Sequence, residues 1–258
     1  MDRLVTKDFT NAKAHYVYAD LAMRARQYHL AIDQAELAIG FDPDLTVAKT
    51  LRVQGLSQLG ESEMAFAEMA NMVAEDADNF ALRLAYARLL LQAERYSDAI
   101  KQLQVLLKRR ADDSELLYTT ALAHLQTQEL EPAKKYLEQL VAVNQRLDES
   151  HYYLARIAQQ QNDLDAAIEH FSRVAFGELF LDSMIRLTDL YAETEGMDRA
   201  LEHIGLVRKN ARNTPDIIRL FMAEGGLLYN MAEYEMAYEV YSEGLLEYPR
   251  HPDLLLSL

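Results

Sequence analysis

The chain has 258 residues, 50% of them hydrophobic, with no cysteine and with 41 acidic against 26 basic side chains, a formal charge of -15. That balance disfavours a nucleic-acid backbone or an anionic membrane surface as the ligand, because Lys and Arg grip both, and it leaves no disulfide or thiolate metal site. It fits a solvated acidic face, or a basic partner drawn in by the field.

From the N-terminus, Met1-Asp2-Arg3-Leu4 lacks the apolar core of a signal peptide, and no apolar run reaches the length of a membrane span. A trimmed or mature chain would read the same way, so the compartment stays open. Residues 1–11 read as a connector, with Thr10 or Asn11 placed to cap the first helix. A helix pair then occupies 12–45, its second helix closing at Phe41 before Asp42-Pro43, where the proline stops propagation. The next pair, 46–79, carries Leu51, Val53 and Leu56 facing Ala65, Met69 and Met72. Its methionines Met64, Met69 and Met72 read either as core filler or as an adaptable binding face. The pair at 80–113 ends in Lys108-Arg109-Arg110, cations suited to the negative end of a helix. In 114–147, Pro132 falls in the first turn of a second helix, where its missing donor has no intrahelical partner anyway.

The clearest pair is 148–180, and the one after it, 181–215, starts a residue early after a loop around Gly177. Thr214 as N-cap with Pro215 at the first helical position predicts the restart of the pair 216–250, in which Gly225 and Gly226 predict close helix contact. The three extra residues at this joint either alter the pitch of the array or form a longer surface loop. Residues 251–258 begin a partial capping helix rich in leucine.

One position ties these pairs together. The alanine opening each second helix recurs as Ala31, Ala65, Ala99, Ala133, Ala167, Ala200 and Ala237, at intervals of 34, 34, 34, 34, 33 and 37 residues. With Leu154, Ala155, Phe171 and Val174 at helical spacing around it in the fifth copy, the pattern resembles the tetratricopeptide repeat (TPR) superfamily. The resemblance implies an all-α fold, a right-handed superhelical solenoid of about seven helix-turn-helix repeats plus the partial terminal helix.

No catalytic motif appears. The seven histidines are scattered, without H-E-x-x-H spacing, and neither a Walker A loop nor a G-x-S-x-G element is present. The expectation is a non-enzyme with no cofactor and no metal.

In the TPR superfamily, peptides commonly lie along the wall made by the first helices. Period counting on this chain places Tyr16, Asp20 and Arg24, then Gln54 and Gln58, then Arg88 and Gln92 on that wall. Tyr118 and Gln126, Tyr152, Arg156 and Gln160, Asp189, and finally Asn230 follow, and Arg186 joins them as a preferred binding arginine. Tyrosine gives apolar contact with a hydroxyl, and arginine grips carboxylates through two parallel bonds. Chaperone adaptors of the superfamily use a Lys/Asn/Asn/Lys/Arg clamp; here Tyr16, Asp20, Thr50 and Gln54 stand at the matching positions, so that clamp is not expected. A tail of Leu254, Leu255 and Leu256 offers a surface for self-association, which would make the chain a homo-oligomer.

Within the superfamily, LRLAYARLLLQAERYSDAI (82–100), ESHYYLARIAQQQNDLDAAIEHFSRVAFGE (149–178) and VYSEGLLEYPRHPDLL (240–255) resemble the outer-membrane lipoproteins of Gram-negative bacteria that serve as adaptors for a carboxyl-terminal processing protease. Members are longer and carry a lipobox cysteine, so the resemblance implies a carboxyl-terminal fragment on the periplasmic face of the outer membrane. It implies a protein-binding scaffold whose partners are the protease and its cell-wall hydrolase substrates. A general scaffold for polysaccharide, lipopolysaccharide or pilus assembly, or a soluble cytoplasmic or periplasmic module, is the alternative.

Overall fold

The computed structural model describes residues 11–257. Among these residues there are fifteen helices and no strand. They are α1 (Ala12–Arg24), α2 (Tyr28–Phe41), α3 (Thr46–Gln58), α4 (Ser62–Glu75), α5 (Phe80–Gln92), α6 (Tyr96–Leu107), α7 (Ser114–Gln126) and α8 (Leu130–Ala142). There follow α9 (Leu147–Gln160), α10 (Leu164–Ser172), α11 (Phe180–Thr194), α12 (Met197–Asn210), α13 (Thr214–Asn230), α14 (Tyr234–Glu247) and the short α15 (Pro252–Leu256).

The helices alternate between first and second members of a hairpin, and the turn joining them has one recurring solution. Arg26, Gly60, Glu94, Gln128, Asn162, Gly196 and Ala232 each hold a positive φ at the turn, the first six of them 34 residues apart. At most of these turns the amide after this residue reaches back five positions, as in Gln27 to Ala22, Arg95 to Leu90 and Glu233 to Leu228. This is the Schellman closure, which satisfies orphan carbonyls at a helix end. Several first helices begin on an Asn or Asp cap. The Asn11, Asn79 and Asp113 side chains accept from Ala14, Leu82 and Leu116 amides at 3.0, 3.0 and 3.2 Å. Before α13 the cap is Asn213, accepting from Asp216 at 2.9 Å, so Thr214 is already helical and the sequence reading lay one residue late.

The chain divides into two compact units, one made of the described residues up to Leu116 with Leu122–Gln128, the other of Leu117–Ala121 with Glu129 onward. In the first unit each helix from α1 to α6 packs on the next, and α1 also touches α3. Its main core joins Val53, Leu56, Phe66, Met69, Met72, Leu82 and Leu90. Met69 and Met72 are therefore core filler, whereas Met64 is exposed. Arg109 is tied to Asp78, through both the side chain and the carbonyl, and Arg110 lies 4.1 Å over the Phe80 ring. Two cations of the basic triplet thus hold α6 to the turn before α5.

In the second unit α8 to α15 pack in succession, with α11 also on α13 and α13 on α15. Its cores centre on Phe171 with Val174 and Leu187, on Ile204 with Leu220, and on Phe221 with Leu228 and Leu254. The seven periodic alanines are at most 2% exposed, because each sits where a second helix crosses its neighbour and a larger side chain would separate them. Gly225 makes a close approach of the same kind: a Cβ there would stand 2.4 Å from the Tyr241 ring. Gly226 does not, having nothing nearer than 4.0 Å. Leu254 is fully buried against this last core, while Leu255 and Leu256 are exposed. The self-association surface read from the sequence therefore loses Leu254, which helical spacing turns inward.

Candidate functional site

The residues projected onto the first-helix wall fall into two sets. In the first unit, Arg24, Gln54, Gln58, Arg88, Gln92 and Gln126 are exposed and Tyr16 and Asp20 half-buried. Asp20 and Arg24 pair at 2.9 Å along α1. Gln58, Gln92 and Gln126 are the last residues of α3, α5 and α7, and in the second unit Gln160 ends α9 in the same way. Exposed Asn230 likewise closes α13. Gln58, Gln92, Gln126 and Gln160 thus present amides at intervals of 34 residues along the chain.

The second unit does gather its residues. The hydroxyl of Tyr152 on α9 donates to Asp182 Oδ2 on α11 at 2.8 Å, and Arg186 Nε donates to the same oxygen at 2.7 Å. Arg156, one turn after Tyr152, donates from Nη1 to the tyrosine oxygen at 3.1 Å. Tyr152 is buried, Arg186 half-buried, and Arg156 and Asp189 exposed. Burial pushes the Asp182 carboxyl up, but the hydrogen bonds from Arg186 and Tyr152 outweigh it and hold the group below the usual carboxylate range. Tyr152, which period counting places on the first-helix wall, packs its ring edge-on to Phe171 at 5.9 Å and spends its hydroxyl inside the chain. It is a post that positions Arg156.

Asp182 was not legible as a site residue. Two spacings pointed to it: four residues before Arg186, one helical turn, and thirty after Tyr152, close to one repeat.

Tyr118 opens a second feature. Half-buried on α7, it lies 6.2 Å from the ring of Tyr153, at a tilt of 58°. The guanidinium of Arg146 sits 4.5 Å over the Tyr118 ring and pairs with Glu149 at 3.0 Å. Burial first, and the Tyr153 hydroxyl second, raise the Tyr118 phenol above its ordinary range, so it stays protonated. Tyr118, Tyr153, Asp148 and Glu149 border a cavity of about 570 Å³ that the segment 176–179 also lines. That segment exists because α10 is only 9 residues long, and the chain leaves it at Arg173 for an irregular stretch before α11. Asp148 holds the stretch in place by accepting from the amides of Ala175 and Phe176 at 2.6 and 3.1 Å.

Elsewhere the polar pairs are internal ties. Arg208 bridges Glu224 and Glu243, both at 3.0 Å, and stacks 4.3 Å over Phe221. Among the described residues no group of three or more His, Cys, Asp or Glu is placed to hold a metal ion, and no helix is long and apolar enough to cross a membrane.

Two tetratricopeptide repeat family models match the chain, one over residues 58–125 and one over residues 118–178. The two matches together span residues 58–178, which are similar to tetratricopeptide repeats. A TPR repeat-containing protein of Pseudomonas aeruginosa is 32% identical over 110 residues, which is 42% of this chain and 18% of that protein. The match thus spans less than a fifth of the relative. Solved structures agree on the TPR fold across nearly the whole chain. A tetratricopeptide repeat protein from Parabacteroides merdae superposes with a TM-score of 0.57 at 15% identity, covering 95% of this chain and 98% of that one. The Pseudomonas aeruginosa protein PilF gives 0.52 at 17% identity, over 83% of this chain and 97% of its own.

Proposed function

We propose that this chain is a non-catalytic protein-binding scaffold of the bacterial cell envelope, an adaptor that gathers a carboxyl-terminal processing protease and its cell-wall hydrolase substrates. The observation that carries the binding role is the Tyr152–Asp182–Arg186 network, which fixes the exposed guanidinium of Arg156 in advance. A side chain already held in its bound geometry gives up less rotamer freedom when a partner arrives. The finer assignment, to the protease and to the periplasmic face of the outer membrane, rests on the resemblance of 82–100, 149–178 and 240–255 to the lipoprotein adaptors. The Pseudomonas aeruginosa relative supports only the coarser reading, a TPR repeat-containing protein.

The test is capture from a Gram-negative envelope extract, with bound proteins identified by mass spectrometry, using the chain beside R88A/R156A and Y152F. The adaptor reading expects a carboxyl-terminal processing protease on the parent chain and less of it on the arginine variant, with Y152F between the two. Recovery of pilus or polysaccharide assembly proteins in its place would move the scaffold to that machinery, a reading in keeping with PilF and with PilW, a type IV pilus biogenesis factor of similar fold.

A further inference from the structure

The cavity beside Tyr118 has a composition that the scaffold role alone does not explain. Three aromatic rings, Tyr118, Tyr153 and Phe176, and three carboxylates, Asp148, Glu149 and Glu178, line one space of about 570 Å³. Phe176 is 76% exposed, unusual for a phenylalanine whose backbone amide, with that of Ala175, is held by the Asp148 side chain. Of the carboxylates, Asp148 is committed to those amides and Glu149 to Arg146. Glu178 is exposed and has no ion-pair partner among the described residues. The chain itself shows what such a wall accepts: Arg146 lays its guanidinium on the Tyr118 ring and anchors it on Glu149. Tyr153, Phe176 and Glu178 repeat that chemistry, rings and a carboxylate, on the lining of the cavity, where Arg146 takes no part. Aromatic faces attract cations through the ring quadrupole, and a carboxylate alongside takes the N–H bonds of a planar guanidinium.

We propose that this cavity is a pocket for an arginine side chain of a bound protein partner, held between Tyr153 and Phe176 with its guanidinium on Glu178. The proposal rests on the scaffold reading for its partner and gives that partner a chemistry: a segment exposing arginine, attracted by a chain of net charge -15. The pocket lies wholly within the second unit, on Tyr118, the start of α9 and the segment after α10.

The pocket is tested apart from any partner by titrating the isotope-labelled chain with N-acetyl-arginine N-methylamide and following amide chemical shifts. The citrulline counterpart, equal in shape and uncharged, serves as the control. The arginine probe is expected to move the signals of Phe176, Gly177 and Glu178, the citrulline probe to leave them in place. E178Q is expected to abolish the response, and Y153L to weaken it about two- to fivefold, the contribution of one exposed cation–π contact. Equal shifts from both probes, or an unchanged response in E178Q, would overturn the pocket. Capture from envelope extract with E178Q/F176S supplies the second arm. If the variant retains every protein that the parent holds, the pocket proposal falls and the scaffold stands. If the parent captures nothing, the scaffold reading falls and the shift titration still decides the pocket.

Discussion

His151 and His170 face each other across the α9–α10 hairpin, Nδ1 to Nδ1 at 3.0 Å. One ring must donate and the other accept, so the contact requires that at least one imidazole be neutral. Burial lowers the proton affinity of both below the ordinary histidine value, and the Arg173 charge adds to it against the opposing pull of the Glu169 carboxylate. A lowered value in the fold means that the unfolded chain binds more protons in acid. The stability from this pair is therefore complete above about pH 6.5, the unfolded value, and is lost as the pH falls through the folded values. The melting temperature of the parent chain should drop more between about pH 7.5 and about pH 5 than that of H151L/H170L. His203, also lowered by burial, is present in both and cancels in the comparison. Parallel pH profiles would refute the assignment.

Adjacent glycines should respond in opposite senses. At Gly225 a methyl group would stand 2.4 Å from the ring of the buried Tyr241, so G225A should lose about 1–3 kcal/mol by overpacking. Gly226 has only the Tyr241 hydroxyl, at 4.0 Å, within range. G226A should be neutral or gain up to about 1 kcal/mol from helix propensity. Urea denaturation of the two variants reads both signs.

The repeat was legible because its markers are local. A small residue at a crossing and a cap of Asn or Asp keep their identity whatever the rest of the chain does, as Ala31 to Ala237 and Asn11 show. The polar ties were harder, since they depend on how two helices register. His15 with Gln34, Arg83 with Gln102 and His151 with His170 all join residues 19 apart across a hairpin, a spacing visible only once the turn has been fixed. Tyr152 shows the limit of period counting. The period places it on the first-helix wall, yet whether the side chain there is open or buried depends on Asp182 and Phe171 nearby. The cavity was out of reach for a different reason: the shortened α10 breaks the period, and Phe176 and Glu178 lie in the irregular stretch that results.

The turn residues carry a testable strain. Ala232 holds φ 64 where an L side chain crowds the following carbonyl, a cost of about 1–2 kcal/mol relative to the right-handed region. Glycine removes that crowding but loses more backbone freedom on folding, about 0.5–1 kcal/mol. A232G should therefore gain a net amount on the order of 0.5–1 kcal/mol. The reverse change at the equivalent turn, G60A with φ 83 in the parent, should lose stability. Thermal melts that moved in the same direction for both variants would show that strain at the turn is not what separates them.

The last helix separates packing from association. Leu254 is fully buried with Phe221, Leu228 and Tyr241, so L254A leaves a cavity in the last core. Its cost should fall toward the lower end of the usual range of about 2–5 kcal/mol, because a helix of one or two turns relaxes into the vacated space more readily than one fixed at both ends. Leu255 and Leu256, 52% and 86% exposed, touch too little for either to matter to the fold, and alanine there should shift stability by no more than about 0.5 kcal/mol. If the tail pairs with a second copy, the order reverses for mass: L255A/L256A should lower the molar mass seen by light scattering, with the melting temperature at low concentration unchanged. A mass that the double variant leaves unaltered removes this tail as a self-association surface, and the two leucines are then exposed apolar residues of an ordinary surface.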